Sequence, residues 1–114
     1  MMGLPAGRLW HRVSIEELIT GQDTDGNAEE EWVDAFGVLL PAEIVALSGR
    51  ELIAAQSVQS KVTTRIRIRY RAGIAPAMRA VHRDTFYNIE AIVPDPDSGR
   101  RYLTLHCASG VNVG

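Results

Sequence analysis

The chain has 114 residues, which predicts a single domain over 1–114, because chains divide into domains only well above this size. With 46% hydrophobic and 23% charged residues, the composition excludes an intrinsically disordered chain. The sequence has no apolar run near the ~20 residues of a membrane-spanning helix and no secretory signal over residues 1–5. The single cysteine, Cys107, excludes an intrachain disulfide and favours a reducing compartment.

The net charge of −2 conceals a strong asymmetry along the chain. Residues 16–51 contain ten acidic residues against one arginine, a net charge of −9. Residues 61–83 contain seven basic residues and no acidic one, a net charge of +7. Such segregation predicts a bipolar surface. The two halves either neutralise each other within one molecule or meet between copies in an assembly.

The N-terminal part of the chain predicts a long β-hairpin. Residues 8–20 alternate apolar and polar side chains, which indicates a first strand. Residues 21–30 form a polar, mobile loop with a turn signal at Asp25, Gly26 and Asn27. Residues 31–45 form a second extended stretch, which Pro41 interrupts.

One helix is predicted, at 48–59, because Ser48 and Glu51 stand at the spacing of a capping box. The strongest periodic signal follows at 62–71, where β-branched and aromatic residues alternate strictly with Thr63 and four arginines. This period of two is typical of a half-buried strand with its arginines facing outward.

Three shorter strands complete the predicted set, at 78–83, 85–93 and 101–108, with a turn at 94–99 before the last. Residues 109–114 are expected to be a frayed tail, which leaves a core over about 6–108. Five or six strands and one short helix predict a mainly β protein. We expect a small antiparallel β-barrel or sandwich with the helix at its side and a long mobile hairpin loop.

No catalytic residue, metal ligand set or cofactor site is predicted. The three histidines are far apart in the sequence, and His106 and Cys107 point to opposite faces of a strand. Acidic residues from Asp23 to Asp34 have nearly the spacing of a calcium loop, but Ala28 occupies the position where that loop needs glycine. A solvated acidic hairpin tip explains them better.

The arginine row has the most functional potential. Strand residues two apart lie ~6.6 Å from each other, close to the phosphate spacing of a nucleic-acid strand. However, the protein is slightly acidic overall and no aromatic residue shares the arginine face. Three interpretations stay open: intramolecular or solvent pairing, an acidic protein partner, or DNA contact. The row consists of Arg65, Arg67, Arg69 and Arg71.

The residues resemble a known family, the head–tail joining proteins of long-tailed phages, also called head-tail adaptor, head-closure or stopper proteins. The resemblance covers about 6–108. The sequence departs from the family pattern at His82-Arg83-Asp84, where the family usually has glycine, and 41–47 is longer than expected. The matching stretches are Ala6-Gly7-Arg8-Leu9-Trp10-His11-Arg12-Val13, Ser48-Gly49-Arg50-Glu51 with Ala54-Ala55-Gln56, Thr64 through Arg71, Phe86-Tyr87-Asn88-Ile89, and Arg101 through Cys107.

This resemblance implies a structural role without catalysis or cofactor. Copies would form a ring below the portal and its adaptor after DNA packaging, close the channel and present a surface to a tail-completion protein. The chain would be a monomer alone, occupy the host cytoplasm during assembly and then the head–tail connector of the virion, and contact no membrane. DNA would pass through the lumen without sequence-specific binding.

The charge asymmetry fits a ring, because contacts between unlike surfaces close into rings. We therefore predict two sets of site residues. The alternative function is a small β-barrel that binds single-stranded nucleic acid through the arginine row. The predicted subunit or connector interface comprises Arg65, Arg67, Arg69, Arg71, Glu29, Glu30, Glu31, Arg50 and Glu51, and the predicted channel loop comprises Asp23, Asp25, Gly26 and Asn27.

Overall fold

The computed structural model describes residues 9–109. It contains one helix and a seven-stranded antiparallel sheet in the order β2-β1-β3-β4-β7-β6-β5, and a further pairing of β1 with β5 closes the sheet on itself. The predicted mainly β, barrel-like class is confirmed. The elements are β1 (His11–Gln22), β2 (Ala28–Asp34), β3 (Leu40–Ala46), α1 (Gly49–Ser57), β4 (Thr64–Arg69), β5 (Arg79–His82), β6 (Thr85–Pro94) and β7 (Tyr102–Ser109).

The strand count within residues 9–109 is seven rather than five or six because the second extended stretch divides into β2 and β3. The break lies before Pro41, not at it. Asp34 Oδ1 accepts the backbone N–H groups of Phe36 and Gly37 at 3.0 and 2.9 Å, and Gly37 has a φ of +73°. An Asx-type turn of this kind turns the chain out of the β2 ladder.

Half of the polar segment predicted as a loop, residues 21–30, is β-ribbon. β1 and β2 pair from Glu16 opposite Asp34 to Gln22 opposite Ala28, so only residues 23–27 remain as a turn. We call residues 17–34 the acidic arm. Its residues 20–31 are all exposed. The hairpin is thus long, as expected, but its loop is short.

The core lies inside the closed sheet. Period-two alternation places Ile66 and Ile68 of β4 and Leu105 of β7 at 0–1% exposure, while the side chains between them face outward. The other residues of the buried core cluster, from β1, β3, β5, β6 and β7, are Val13, Ile15, Leu40, Ala42, Ala80, Ile89, Leu103 and Cys107.

Two further boundaries differ from the sequence prediction. Ser109 belongs to β7 rather than to a frayed tail, because it pairs with Tyr87 of β6. Its backbone N–H also donates to Thr63 Oγ1 at 3.0 Å. β4 ends at Arg69, so Tyr70 and Arg71 lie beyond the strand. The predicted states of 1–8 and 110–114 fall outside the described residues. Within 9–109, no helix has the length and apolar character to span a membrane.

Candidate functional site

Only three of the four arginines predicted as one row belong to the strand. Arg65, Arg67 and Arg69 alternate along β4 with the buried Ile66 and Ile68. Arg71 follows the end of β4, and its guanidinium lies 4.4 Å from the ring centroid of Phe36. The arginine row therefore divides into a strand-borne set and one residue engaged by an aromatic ring.

Two strand-borne arginines have acidic partners within the molecule. Arg65 contacts the carboxylate of Glu51 on α1. Arg67 Nη1 lies 3.9 Å from Glu43 Oε1, and these residues are opposite each other on β4 and β3. All four side chains keep solvent exposure, between 16% and 39%. Exposed pairs of this kind contribute only ~0–1 kcal/mol each and can exchange partners.

Arg69 differs from its neighbours. It is exposed at the end of β4, opposite Tyr102 on β7, and makes no ion pair within the described part of the chain. Among the strand-borne arginines it is the one whose charge has no carboxylate partner there. Of the four arginines of the row, Arg69 alone has neither a carboxylate nor an aromatic partner within the described residues.

Arg50 and Glu51, the predicted interface residues at the start of α1, differ in whether they have partners within the molecule. Ser48 caps the helix, and Glu51 accepts a hydrogen bond from the Ser48 N–H at 3.0 Å, which confirms the capping box. Glu51 also holds Arg65, so its carboxylate is already occupied. Arg50 is exposed and forms no ion pair among residues 9–109.

The three consecutive glutamates of β2 do not share one face. Glu29 and Glu31 lie directly opposite Gly21 and Ile19 of β1, and so occupy one face of the arm. Glu30, on the other face, lies opposite Thr20. All three are exposed. An interface formed by one side of the arm therefore uses Glu29 and Glu31 but not Glu30.

The arm tip is ordered by its own side chains. Asp23 Oδ1 accepts the backbone N–H groups of Asp25 and Asn27, both at 2.9 Å, and Gly26 has the φ of +83° that such a tight turn requires. The hydrogen bond from the Asn27 backbone, and others at the turn, lower the pKa of Asp23 from its ordinary value. The tip thus presents a fixed carboxylate at neutral pH.

Comparison with known proteins identifies the family. The family model for phage head completion proteins matches residues 4–110. The chain belongs to the phage head completion protein family. It is 32% identical over 73 residues to head completion protein gp7 of Enterobacteria phage HK97, over 64% of this chain and 63% of that protein. Protein SF1141 from Shigella flexneri 2a has a solved solution structure that matches with a TM-score of 0.72 and 29% identity, over 96% of this chain and 99% of that one.

Family membership confirms the resemblance to phage head–tail joining proteins. Head completion proteins are structural and are not known as enzymes. Neither relative supports the alternative function of a single-stranded nucleic-acid-binding module.

The described residues show no arrangement typical of catalysis. Cys107 is fully buried, and burial raises the pKa of its thiol to about 12. His106 faces the other side of β7, and its pKa is lowered by burial and by Arg65. The predicted separation of the two side chains is therefore confirmed. Between Leu9 and Ser109, no three His, Cys, Asp or Glu side chains converge on a metal-binding position.

A cluster at the base of the acidic arm escapes sequence analysis. The Arg79 guanidinium lies between two aromatic rings, 4.1 Å from Trp32 and 4.2 Å from Phe86, and its Nε donates to Glu16 at 2.7 Å. We call these four residues the Arg79 stack. It joins β1, β2, β5 and β6. It buries Arg79, although the alternation of side chains along β5 places Arg79 on the outer face of the sheet, away from the core. No local pattern signals it, because Arg79 resembles any other exposed cation in the sequence.

Proposed function

We propose that the chain, acting as one head-joining domain, binds below the portal and adaptor ring after DNA packaging, closes the head and provides the surface to which the tail attaches. The observation that supports this most is the family match over residues 4–110, nearly the whole chain. The proposed site of action is the head–tail connector of the virion, after a period in the host cytoplasm.

The proposed assembly is a ring of copies. A ring needs two unlike surfaces on each copy. The acidic arm supplies one of them, since Glu29 and Glu31 have no ion-pair partner within the described residues. Basic groups elsewhere supply the other. The arginine row is available to a connector protein, since Arg69 has no ion-pair partner within the described residues and the exposed pairs of Arg65 and Arg67 can open at low cost.

The tip of the acidic arm is the proposed channel element. It comprises Asp23, Asp25, Gly26 and Asn27 and stands at the far end of a two-stranded ribbon. Carboxylates repel the phosphates of packaged DNA, so a lining of this kind would let DNA slide without binding. The hydrogen bonds of Asp23 support a tip of defined shape rather than a floppy segment.

The connector contact is tested by charge reversal on β4. Heads are made by the phage or prophage that encodes this chain, with the gene deleted and variants supplied in trans. We expect Arg67→Glu with Arg69→Glu to abolish head joining, while circular dichroism of the purified variant matches the wild type. A control with the same change in net charge is Lys61→Glu with Arg100→Glu, at two exposed positions outside the row. Normal joining by the β4 variant would rule out the arginine contact.

The channel role is tested by removing only the tip. The Asp23 N–H donates to the Asn27 carbonyl at 2.9 Å, and the alternation of the ladder makes Gly21 and Glu29 the next hydrogen-bonded pair. An Asn-Gly turn can therefore replace residues 22–28 without changing the ribbon register. We expect the shortened variant to fold and to leave filled heads that lose their DNA. Full retention of DNA by these heads would exclude the tip as the closing element.

A further inference from the structure

A groove of about 470 Å³ lies at the start of β1, away from the arginine row. Two of its walls are large apolar side chains in solvent: Trp10 is 75% exposed and Leu39 is 61% exposed. Exposed tryptophan beside exposed leucine is typical of a protein-binding surface, where aromatic anchors carry much of the affinity. We call it the Trp10 groove; it is lined by Trp10, Arg12, Leu39, Val81, His82 and Arg83, together with two β1 side chains.

The floor of the groove is held rigidly. The rings of His11 and His82 meet edge to face, with centroids 4.9 Å apart and an interplanar angle of 73°. His82 Nδ1 lies 3.0 Å from the Arg12 carbonyl oxygen, and since a carbonyl only accepts, Nδ1 carries the proton and donates. A surface fixed before contact loses less side-chain freedom when a partner binds.

The Trp10 groove carries two cations without acidic partners among the described residues. The Arg12 side chain donates to backbone carbonyls, those of Leu9 and His11, each at 3.3 Å. Arg83 forms no ion pair within residues 9–109. Asp84, its neighbour in the turn, does not line the groove. The groove therefore suits a partner that carries both carboxylates and an exposed apolar side chain.

The backbone at Arg83 has a conformation that favours glycine. It is in the two-residue turn between the paired His82 and Thr85, with a φ of +55°. This left-handed region suits glycine, and any residue with a Cβ is strained there. The exposed Arg83 side chain is thus presented at the end of the β5–β6 hairpin.

One face of the acidic arm has the matching properties. Glu17, Glu29 and Glu31 share this face with Ile19, because directly opposite residues on paired strands point the same way. We call it the Ile19 face. None of the three glutamates has an ion-pair partner in the described chain, and Ile19 is 46% exposed. Carboxylates around an exposed isoleucine complement arginines around an exposed tryptophan and leucine.

We propose that the Ile19 face of one copy docks in the Trp10 groove of the next copy. Glu29 and Glu31 meet Arg12 and Arg83, and Ile19 packs against the apolar wall. The inference rests on the proposed function, because only a protein that acts in several copies has use for such a contact. It assigns the ring contact to a basic surface other than the arginine row.

The placement of the two surfaces explains how the contact joins many copies. They lie toward opposite ends of β1, which has 12 residues and spans about 36 Å. One copy cannot fill its own groove with its own arm. A joined pair therefore keeps one free arm and one free groove, to which further copies add. Head-to-tail contacts between unlike surfaces of this kind close into rings.

Charge exchange across the contact is the decisive test. Four chains complement the gene deletion: wild type, Arg12→Glu with Arg83→Glu, Glu29→Arg with Glu31→Arg, and all four changes together. We expect each two-residue variant to lower the yield of joined particles about 100-fold. The chain with all four changes should give a yield about 10-fold higher than either two-residue variant. A combined chain no better than either half would overturn the docking. Failure of the wild-type chain to restore joining would instead contradict the proposed function itself.

Disulfide trapping locates the contact independently. The native thiol is buried and keeps its proton, so introduced cysteines react without competition from Cys107. We expect Ile19→Cys with Leu39→Cys to give a ladder of covalent oligomers from completed particles. The control, Ile19→Cys with Ile53→Cys, carries the same number of thiols, and Ile53 on α1 is 70% exposed.

Three outcomes of the trapping would refute the contact. One is an equal ladder from the control, which would show that thiol proximity is not specific. Another is no ladder from the test variant in joined particles. The third is a ladder that stops at the dimer, which would show that two copies exchange arms with each other rather than joining a third.

Arg83→Gly separates docking from folding. Glycine relieves the strain at this turn, so the variant should unfold at the same or a higher denaturant concentration than the wild type. We expect it nevertheless to lower the yield of joined particles about tenfold, through loss of one charged contact. Unchanged yield would remove Arg83 from the interface.

Discussion

The barrel and the acidic arm share β1 but are held together by different interactions. The first half of the strand places Val13 and Ile15 in the core at 0% exposure. In the second half, every residue from Thr20 onward is exposed, and only β2 pairs with it. Apolar burial thus stabilises the barrel, whereas ladder hydrogen bonds and the Arg79 stack order the arm. Changes in the buried core of the barrel should lower the stability of the protein, and changes in the arm should alter assembly while the fold survives.

The largest effect is expected in the barrel. Ile66 is fully buried at the middle of β4, so Ile66→Ala removes buried methyl groups and leaves a cavity. We expect a loss of about 3 kcal/mol in the free energy of unfolding, measured by urea titration. The matched control is Ile53→Ala on α1, where the side chain is 70% exposed and the change should be below about 0.5 kcal/mol. Equal losses at the two positions would contradict the description of the core.

The Arg79 stack tests the boundary between the two regions. Arg79→Met keeps the length of the side chain but leaves Glu16 without its partner and removes both ring contacts. We expect a loss of about 2 kcal/mol, since breaking a buried pair is costly. Hydrogen exchange should accelerate at the base of the arm and stay slow in β4 and β7. Uniform acceleration of exchange in all strands would mean that the stack stabilises the barrel as a whole. Arg69→Met, at an exposed position, serves as the control.

The helix is a third region, and its cap tests how far it depends on the barrel. α1 contains no buried residue, so the capping box of Ser48 and Glu51 has a large part in defining its start. Ser48→Ala should cost about 1 kcal/mol in the free energy of unfolding. The matched variant Ser48→Thr keeps a hydroxyl that can accept the same hydrogen bond, so it should retain most of the wild-type stability. No loss with alanine would show that packing, not capping, holds the helix.

The smallest expected effect is a local one, at the β6–β7 turn. Asp95 accepts backbone N–H groups from Ser98, Arg101 and Tyr102 at 2.7–3.1 Å, and these hydrogen bonds hold its pKa far below the ordinary value of 3.8. Because the folded pKa is depressed, the stabilisation is present above about pH 4 and is lost as the pH falls toward the folded pKa. NMR shifts of the Arg101 and Tyr102 amides should therefore stay constant from pH 7 to about pH 4.

The control for this pH dependence is Asp95→Asn, which has no carboxyl group to titrate. Its turn amides should differ from those of the wild type already at neutral pH and change little on acidification. A wild-type turn that loosens between about pH 7 and pH 5 would contradict the assignment to Asp95.

Sequence patterns predict the elements that depend on neighbouring residues. The period-two alternation around Ile66 and the capping box at Ser48 are local signals, and both are confirmed. The prediction of a break at Pro41 is wrong. The chain turns earlier, because the Asp34 side chain accepts hydrogen bonds from the Phe36 and Gly37 backbone N–H groups, and the apolar period gives no sign of these bonds. The pattern also underestimates the extent of β1 and β2, since exposed polar strands resemble loops in composition.

The candidate site is harder to predict than the fold. The spacing identifies the arginines, but whether each one has a partner depends on residues far away in the sequence, such as Glu51 and Glu43. The Arg79 stack combines four strands, and the Trp10 groove combines β1 with Leu39 and the β5–β6 turn. Contacts of this kind follow from the closure of the sheet, which no local pattern encodes.

The most direct test of the central claim is electron microscopy of a lysate from a phage that lacks this gene. A role in head completion predicts separate heads, filled or emptied, together with complete free tails. Supplying the wild-type chain in trans should restore joined particles. Ordinary joined particles in the absence of the gene would contradict the account.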